Sequence, residues 1–523
     1  MSTNRRDFIK GIGATALGIG LFPTDYLYGS MLNQKGISGL ARTSPESQGV
    51  SSSAILNFIK ATSTSNIDWH SFMLLRHGKV IAEGWWQPFA AEYKHTLYSL
   101  SKSFTSTAIG LLVKEGKLSV EDSVLSLFAD EAPSSPDENL KQMKVKHLLT
   151  MNTGHGEDTM PKLREQEKQQ TWTKTFLSQP VAFQPGTHFL YNTGATYMLG
   201  AIVHKKTGQT LTQYLEPRLF QPLGIKNYDW EVSPQGLNTA GYGLRVKTED
   251  IALLGQLYLQ KGKWNGKEIL TESWVDDATK AQTTSQAGDG DWSQGYGYQF
   301  WRCKPGFYRG DGAFGQYCFV MPQYDAVLAV TSESWDMQKS MNVVYEHLLP
   351  GIKDGKLNED ATTLTELKKE LGSLKLSVPT GNVQSPSAAK WNKKVIQLEK
   401  NEYGATQLQF DFTKDACSLT IKTANGPQTI KFGWQNWFVN KDSVPYIFSV
   451  AGRNPVPSKI AGTATWINDT TLQLNLRFVE AIHGDKLTCV FDGGNISVAL
   501  LNSVAENAKN SPEKRVGLMG KVS

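Results

Sequence analysis

Apolar and polar residues follow two different periods along this chain, and the change falls near residue 390. In the first part most apolar positions recur at helical spacing, with a few extended runs at either end. Residues 53–60 predict a first helix. Residues 72–75 and 80–86 predict two strands joined at His77-Gly78-Lys79, a hairpin. Phe104, Ala108, Leu111 and Leu112 share one face of a helix that starts beside Ser99 and stops at Gly116. Further helices are predicted over 144–150, 195–207, 248–260 and 345–349. Residues 295–301 read as a strand, 309–315 as a glycine-dense loop, and 317–321 with 326–330 as a strand pair. Strands at both ends with helices between them predict an antiparallel sheet covered by helices, an α+β arrangement.

From Gly351 the composition shifts to Lys, Glu, Ser and Pro, which predicts a linker over 356–395 holding one amphipathic helix at 363–371. Beyond it the period becomes two. Strands are predicted at 407–412, 418–422, 429–432, 463–466, 472–478, 486–491 and 496–500, punctuated by turns such as Asn425-Gly426. Such a meander predicts a small all-β barrel or sandwich over 396–505. Its expected role is packing against the first domain, and 506–523 read as a polar, frayed tail.

Composition narrows the function classes. The 523 residues are 40% hydrophobic and 10% aromatic, with a net charge of only +5. Length allows at least one large core. No basic stripe interleaves with aromatics, so a nucleic-acid partner is not expected. Asn4-Arg5-Arg6-Asp7-Phe8-Ile9-Lys10 precedes an apolar run from Gly11 to Phe22. That order resembles a twin-arginine export signal over 1–30, and the run is shorter than the roughly 20 residues a membrane span needs. A periplasmic or otherwise exported protein without a membrane span is expected. Cys303, Cys318, Cys417 and Cys489 are either disulfide partners or small buried hydrophobes. No CxxC pair and no zinc-type histidine spacing occurs, so no metal or cofactor is expected.

The chemistry-bearing pattern is Ser-x-x-Lys. It occurs at Ser99/Lys102, Ser387/Lys390 and Ser511/Lys514. Three residues are most of one helical turn, so hydroxyl and ammonium share a face. A desolvated lysine loses charge and can take a serine proton. The same spacing also suits an N-cap serine with a solvated lysine. Only the first copy lies between an aromatic residue and a long apolar helix face. His155, Glu157 and Asp158, in the polar stretch 155–170, are further site candidates.

Three features follow in order: Ser99-x-x-Lys102, Tyr191 before the 195–207 helix, and Gly310-Asp311-Gly312 before the strand pair. With the phrases Val145-Lys146-His147-Leu148-Leu149-Thr150, Pro185-Gly186-Thr187 and Gln221-Pro222-Leu223-Gly224, they resemble the serine β-lactamase and penicillin-binding-protein superfamily. The class C branch, with its esterase and D-peptidase relatives, is the nearest likeness. The resemblance covers roughly residues 40–350. It implies a β-lactamase/transpeptidase-like catalytic domain over 35–355. The C-terminal part is similar, more loosely, to lipocalin-like modules.

The resemblance implies a serine hydrolase with a covalent acyl-enzyme. Ser99 would be the nucleophile, Lys102 and Tyr191 the proton relay, and the backbone N–H groups of Ser99 and Ala313 the oxyanion hole. Asn192, Thr193, Asp311 and Gly312 are the implied substrate-binding candidates. Two departures stand out. Thr193 occupies a family asparagine position, and Gly310 occupies the place of a basic residue that binds a substrate carboxylate. They point toward esters or amides lacking that carboxylate, with Asp311 a candidate partner for an amine. The alternatives are a D-peptidase or β-lactamase acting on cell-wall-related substrates, and an inert binding or sensor protein. A small-molecule or peptide substrate is the expected partner.

Overall fold

The computed structural model describes residues 39–444, 446–448, 458–508 and 510–523. The export-signal expectation lies outside them. The hairpin forms as its turn dictates: His77 (φ 48°) and Gly78 (φ 71°) are both left-handed, the two-residue turn that matches strand twist. It joins β2 (Asp68–Arg76) to β3 (Lys79–Trp85). With β1 (Ala41–Arg42), β4 (Trp301–Arg302), β5 (Tyr308–Gly312), β6 (Gln316–Met321) and β7 (Ala326–Glu333) they make one seven-stranded sheet. Its order is β1-β3-β2-β7-β6-β5-β4. Only β1 pairs in parallel; β2 meets β7 antiparallel, with Leu74 opposite Leu328.

Both sheet faces are buried, because the strands alternate two apolar sets. Phe72 and Leu74 pack with Phe319 and Leu328 under helices α1 (Ser52–Thr64), α7 (Met337–His347) and α8 (Ala361–Ser373). Met73 and Leu75 face the larger core. That core holds α2 (Ser101–Lys114), α3 (Val145–Leu149), α5 (Thr193–Thr207) and α6 (Thr248–Leu259). The short helix α4 (Met160–Glu165) lies in the polar stretch 155–170.

Three expectations change here. Residues 295–301 are mostly turn, because Gly295 (φ 100°) and Gln299 (φ 65°) break the extended run. The glycine-dense loop is instead strand β5, whose glycines allow close packing. A Cβ on Gly310 would sit 2.3 Å from Leu100 Cδ1, and one on Gly312 2.1 Å from the Leu97 carbonyl oxygen. The linker is no free tether either: Leu367 and Leu371 of α8 are buried against the first sheet.

The C-terminal strands close into a barrel. They are β8 (Val395–Leu398), β9 (Gln407–Phe412), β10 (Ala416–Thr423), β11 (Gly426–Trp434), β12 (Phe438–Val444), β13 (Ser458–Asn468), β14 (Thr471–Phe478), β15 (Gly484–Asp492), β16 (Asn495–Asn502) and β17 (Leu518–Val522). Neighbours run β11-β10-β9-β8-β17-β16-β15-β14-β13-β12. A parallel contact between β11 and β13, Gly433 to Thr463, closes a ring of nine strands. Phe410, Phe432, Trp466 and Phe491 fill its interior. The tail expected to fray supplies β17, which pairs with both β8 and β16. Burying Leu518 and pairing the strand outweighs its polar lead-in. All four cysteines are buried free thiols. Among the described residues no helix is long and apolar enough to cross a membrane.

Candidate active site

Ser99 lies in a tight turn, Tyr98–Leu100, that runs directly into α2. It is half-buried, whereas Lys102 is 1% exposed. The lysines of the other two Ser-x-x-Lys copies, Lys390 and Lys514, are exposed. Burial therefore separates the first copy from the other two.

Hydrogen bonds lock α2 to the loop 240–244. Thr105 Oγ1 donates to the Ala240 carbonyl at 2.9 Å, and Leu244 N–H donates to Ser101 Oγ at 3.2 Å. The same loop presents the Gly241 carbonyl to Lys102 Nζ at 2.8 Å. Lys102 Nζ lies 3.1 Å from Ser99 Oγ and 4.9 Å from the centre of the Tyr191 ring. Burial pushes the Lys102 amine down to about 7, and the charges of Asp158 and Asp311 only partly oppose this. Burial likewise pushes the Tyr191 phenol up, against a lowering hydrogen bond with Ser99. Near neutral pH the lysine is thus partly deprotonated and the tyrosine fully protonated.

Tyr191 is held by aromatic neighbours. Its ring stacks on Trp301 (5.6 Å, 21°) and meets Tyr296 edge-on at 6.2 Å. Both come from the stretch 295–301. β5 packs beside the Tyr98–Leu100 turn, with Gly312 against the Leu97 carbonyl.

The substrate-binding candidates divide. Thr193 lines the cleft that opens over Ser99, and its N–H donates to Asp158 Oδ1 at 2.8 Å. Asn192 is fully buried and serves as the α5 cap: its Oδ1 accepts from Thr159 Oγ1 at 2.8 Å and Ala195 N–H at 3.3 Å. It is a structural residue, because a cap oxygen must face its helix. Asp311 is also withdrawn. Strand alternation turns it away from Ser99, where Arg309 Nε donates to it at 2.8 Å. Arg309, wholly buried, lies 3.7 Å from Asp291 as well. Asp311 is therefore no partner for a substrate amine. His155 is buried against Phe176 and bonds Thr153, away from the cleft.

The cleft holds about 690 Å³, within the usual range for small-molecule sites. Met160, Pro161 and Tyr242 form one side, and Arg164 lies over the Tyr242 ring at 4.9 Å. Phe478, Ala481, Ile482 and His483, between β14 and β15, form another. The barrel thus helps build the cleft, beyond the packing role expected of it. Tyr242 sits in the Gly-rich stretch Gly241-Tyr242-Gly243. The barrel residues carry no local signal.

The chain is similar to known proteins. The 6-aminohexanoate-dimer hydrolase of Paenarthrobacter ureafaciens is 24% identical over 285 residues, 51% of this chain and 72% of that protein. The lovastatin esterase of Penicillium rubens is 29% identical over 151 residues, 25% of this chain. The chain spans only 37% of that esterase's length. The solved octameric penicillin-binding protein homologue from Pyrococcus abyssi has a TM-score of 0.46 and 15% identity, covering 89% of this chain and 99% of that one. The family model described as Beta-lactamase matches residues 67–348, more than half of the sequence, and the chain belongs to this family of serine hydrolases.

Proposed function

We propose that this chain hydrolyses an ester or amide through a covalent acyl-enzyme on Ser99. Ser99 Oγ attacks the carbonyl carbon while its proton passes to Lys102 Nζ. The N–H groups of Ser99 and Ala313 take the developing oxyanion. The Tyr191 hydroxyl protonates the leaving oxygen or nitrogen and regains a proton from Lys102. Water then enters by the reverse route and frees Ser99. One observation carries this reading. Lys102 is a buried amine with no carboxylate partner among the described residues, 3.1 Å from a reachable serine hydroxyl. A base lowered to about 7 beside a phenol raised above its ordinary value divides base and acid roles between the two groups.

Gly310 leaves no room for a basic side chain beside Leu100, which favours an acyl group without a carboxylate there. The relatives' names span an amide and an ester substrate, in keeping with that breadth. Arg164 supports a second reading, an acid-bearing D-peptide or β-lactam, because it brings a cation to the same cleft. On sequence grounds we also propose export through the Arg5-Arg6 signal; Arg5→Lys with Arg6→Lys should then retain the protein inside the cell.

The test is a panel of p-nitrophenyl butyrate, a D-alanyl dipeptide and benzylpenicillin, with wild type and Ser99→Ala. Ester turnover that Ser99→Ala abolishes is the expected result. Preference for the peptide or the penicillin selects the second reading. Wild-type turnover in Ser99→Ala rules out both.

A further inference from the structure

Two aromatic residues with left-handed backbones flank the two residues proposed above to supply the oxyanion-hole N–H groups. Tyr98 (φ 46°) precedes Ser99, and Phe314 (φ 65°) follows Ala313. Aromatic side chains disfavour this region, so such conformations persist only where the surroundings hold them. One imidazole from the C-terminal barrel touches both. His483 Nε2 lies 3.0 Å from the Tyr98 hydroxyl. The His483 ring meets Phe314 edge-on at 4.7 Å. The Tyr98 and Phe314 rings meet each other at 5.5 Å, and Trp335 packs on Phe314 at 4.8 Å, which makes a cluster of four rings.

The imidazole is itself anchored. Its Nδ1 lies 2.8 Å from Glu333 Oε1, at the end of β7, and Arg477 of β14 donates to the other Glu333 oxygen at 2.8 Å. Burial pushes the Glu333 carboxyl up, but the hydrogen bond from His483 and the charge of Arg477 outweigh it and hold it below its ordinary value. An ionised Glu333 makes Nδ1 the donor. In the neutral ring Nε2 then accepts from the Tyr98 hydroxyl.

We propose that His483 is a positioning residue for the oxyanion hole, through which the barrel fixes the two turns that carry the Ser99 and Ala313 N–H groups. This rests on the acyl-enzyme reading above. Oxyanion donors stabilise a transition state only when they are already aimed at it, and removing one such donor costs roughly 10²–10³ in kcat in other enzymes. Loosening two turns costs less than deleting a donor. The effect falls on the transition state, so kcat carries it and KM does not.

The experiment uses the full chain with p-nitrophenyl butyrate and with phenylboronic acid, whose tetrahedral adduct on Ser99 places an oxygen in the hole. His483→Ala should lower kcat by about 10- to 100-fold, with KM within about twofold. The inhibition constant of phenylboronic acid should rise by a similar factor. His483→Gln should recover part of the rate, since its amide still reaches the Tyr98 hydroxyl. Because His483→Ala can unsettle the barrel, Tyr98→Phe, which deletes only the hydroxyl, should show the same kcat-specific loss at a smaller size. A rise in KM alone, or a rate loss with unchanged phenylboronic acid affinity in both variants, overturns the positioning role. Ser99→Ala in parallel separates the two claims. If it is inactive while His483→Ala and Tyr98→Phe keep full kcat, only the positioning role fails. If it is fully active, the acyl-enzyme reading fails.

Discussion

Lys102 and Arg309 are both buried cations on elements that frame the cleft, α2 and β5. Lys102 meets a hydroxyl and a carbonyl, Ser99 at 3.1 Å and Gly241 at 2.8 Å. Arg309 meets carboxylates, Asp311 at 2.8 Å and Asp291 at 3.7 Å. Burial lowers the Lys102 amine to about 7, whereas the negative partners of Arg309 outweigh the same burial penalty and raise it. Desolvation brings a buried amine into the range of a base; a guanidinium keeps its charge under the same burial and, held by Cys303 and Asp311, serves as a fixed strut. Side-chain type and partner set together decide which cation does chemistry.

The strongest way to break this contrast is to give the α2 site the other cation. Lys102→Arg keeps the charge but cannot release it near neutral pH. We expect kcat/KM for p-nitrophenyl butyrate to fall by about two to four decades, the range for a lost general base. Near-wild-type activity would refute the base assignment. Next comes the β5 site. Arg309→Met leaves the buried Asp311 carboxylate without its ion pair, and urea unfolding should show a loss of about 3–5 kcal/mol. A drop in kcat with unchanged stability would instead make Arg309 chemical.

The pH profile sharpens the lysine side. The base form of Lys102 exists above its pKa, so kcat/KM should climb about tenfold per unit up to about pH 7 and then level off. A flat profile between pH 5 and 7 would contradict this. The smallest effect concerns the one cleft carboxylate that opposes the shift. Asp158 raises the Lys102 amine by its charge, so Asp158→Asn should move the acid limb to lower pH by a few tenths of a unit. Movement to higher pH would mean that Asp158 acts through another group.

The sequence and the structure agree where the signal is local. Ser99 and Lys102 sit on one helical turn, so their spacing alone brought them together. The 77–78 turn and the alternating strands from 407 to 502 are local in the same sense. Legibility fails where neighbours come from far away. β17 is a short strand with a central glycine, Gly520, and gains its partners from β8, more than 100 residues earlier. Gly310 and Gly312 suggested a loop because glycine usually marks one, yet here they permit close approach to Leu97 and Leu100. Position in a motif puts Asn192 and Asp311 at the site, but side-chain direction takes one into a helix cap and the other into an ion pair. His483 contacts Tyr98 across 385 residues of chain, a distance over which a lone histidine in a turn gives no sequence sign.

The central claim is that Ser99 becomes acylated with Lys102 as its base. Intact-protein mass spectrometry after rapid acid quench of a p-nitrophenyl ester reaction tests this most directly. The account predicts one acyl adduct per chain, mapped to Ser99 by peptide digestion, absent in Ser99→Ala and formed far more slowly in Lys102→Arg. An adduct that persists in Ser99→Ala, or one that forms at the wild-type rate in Lys102→Arg, would contradict it.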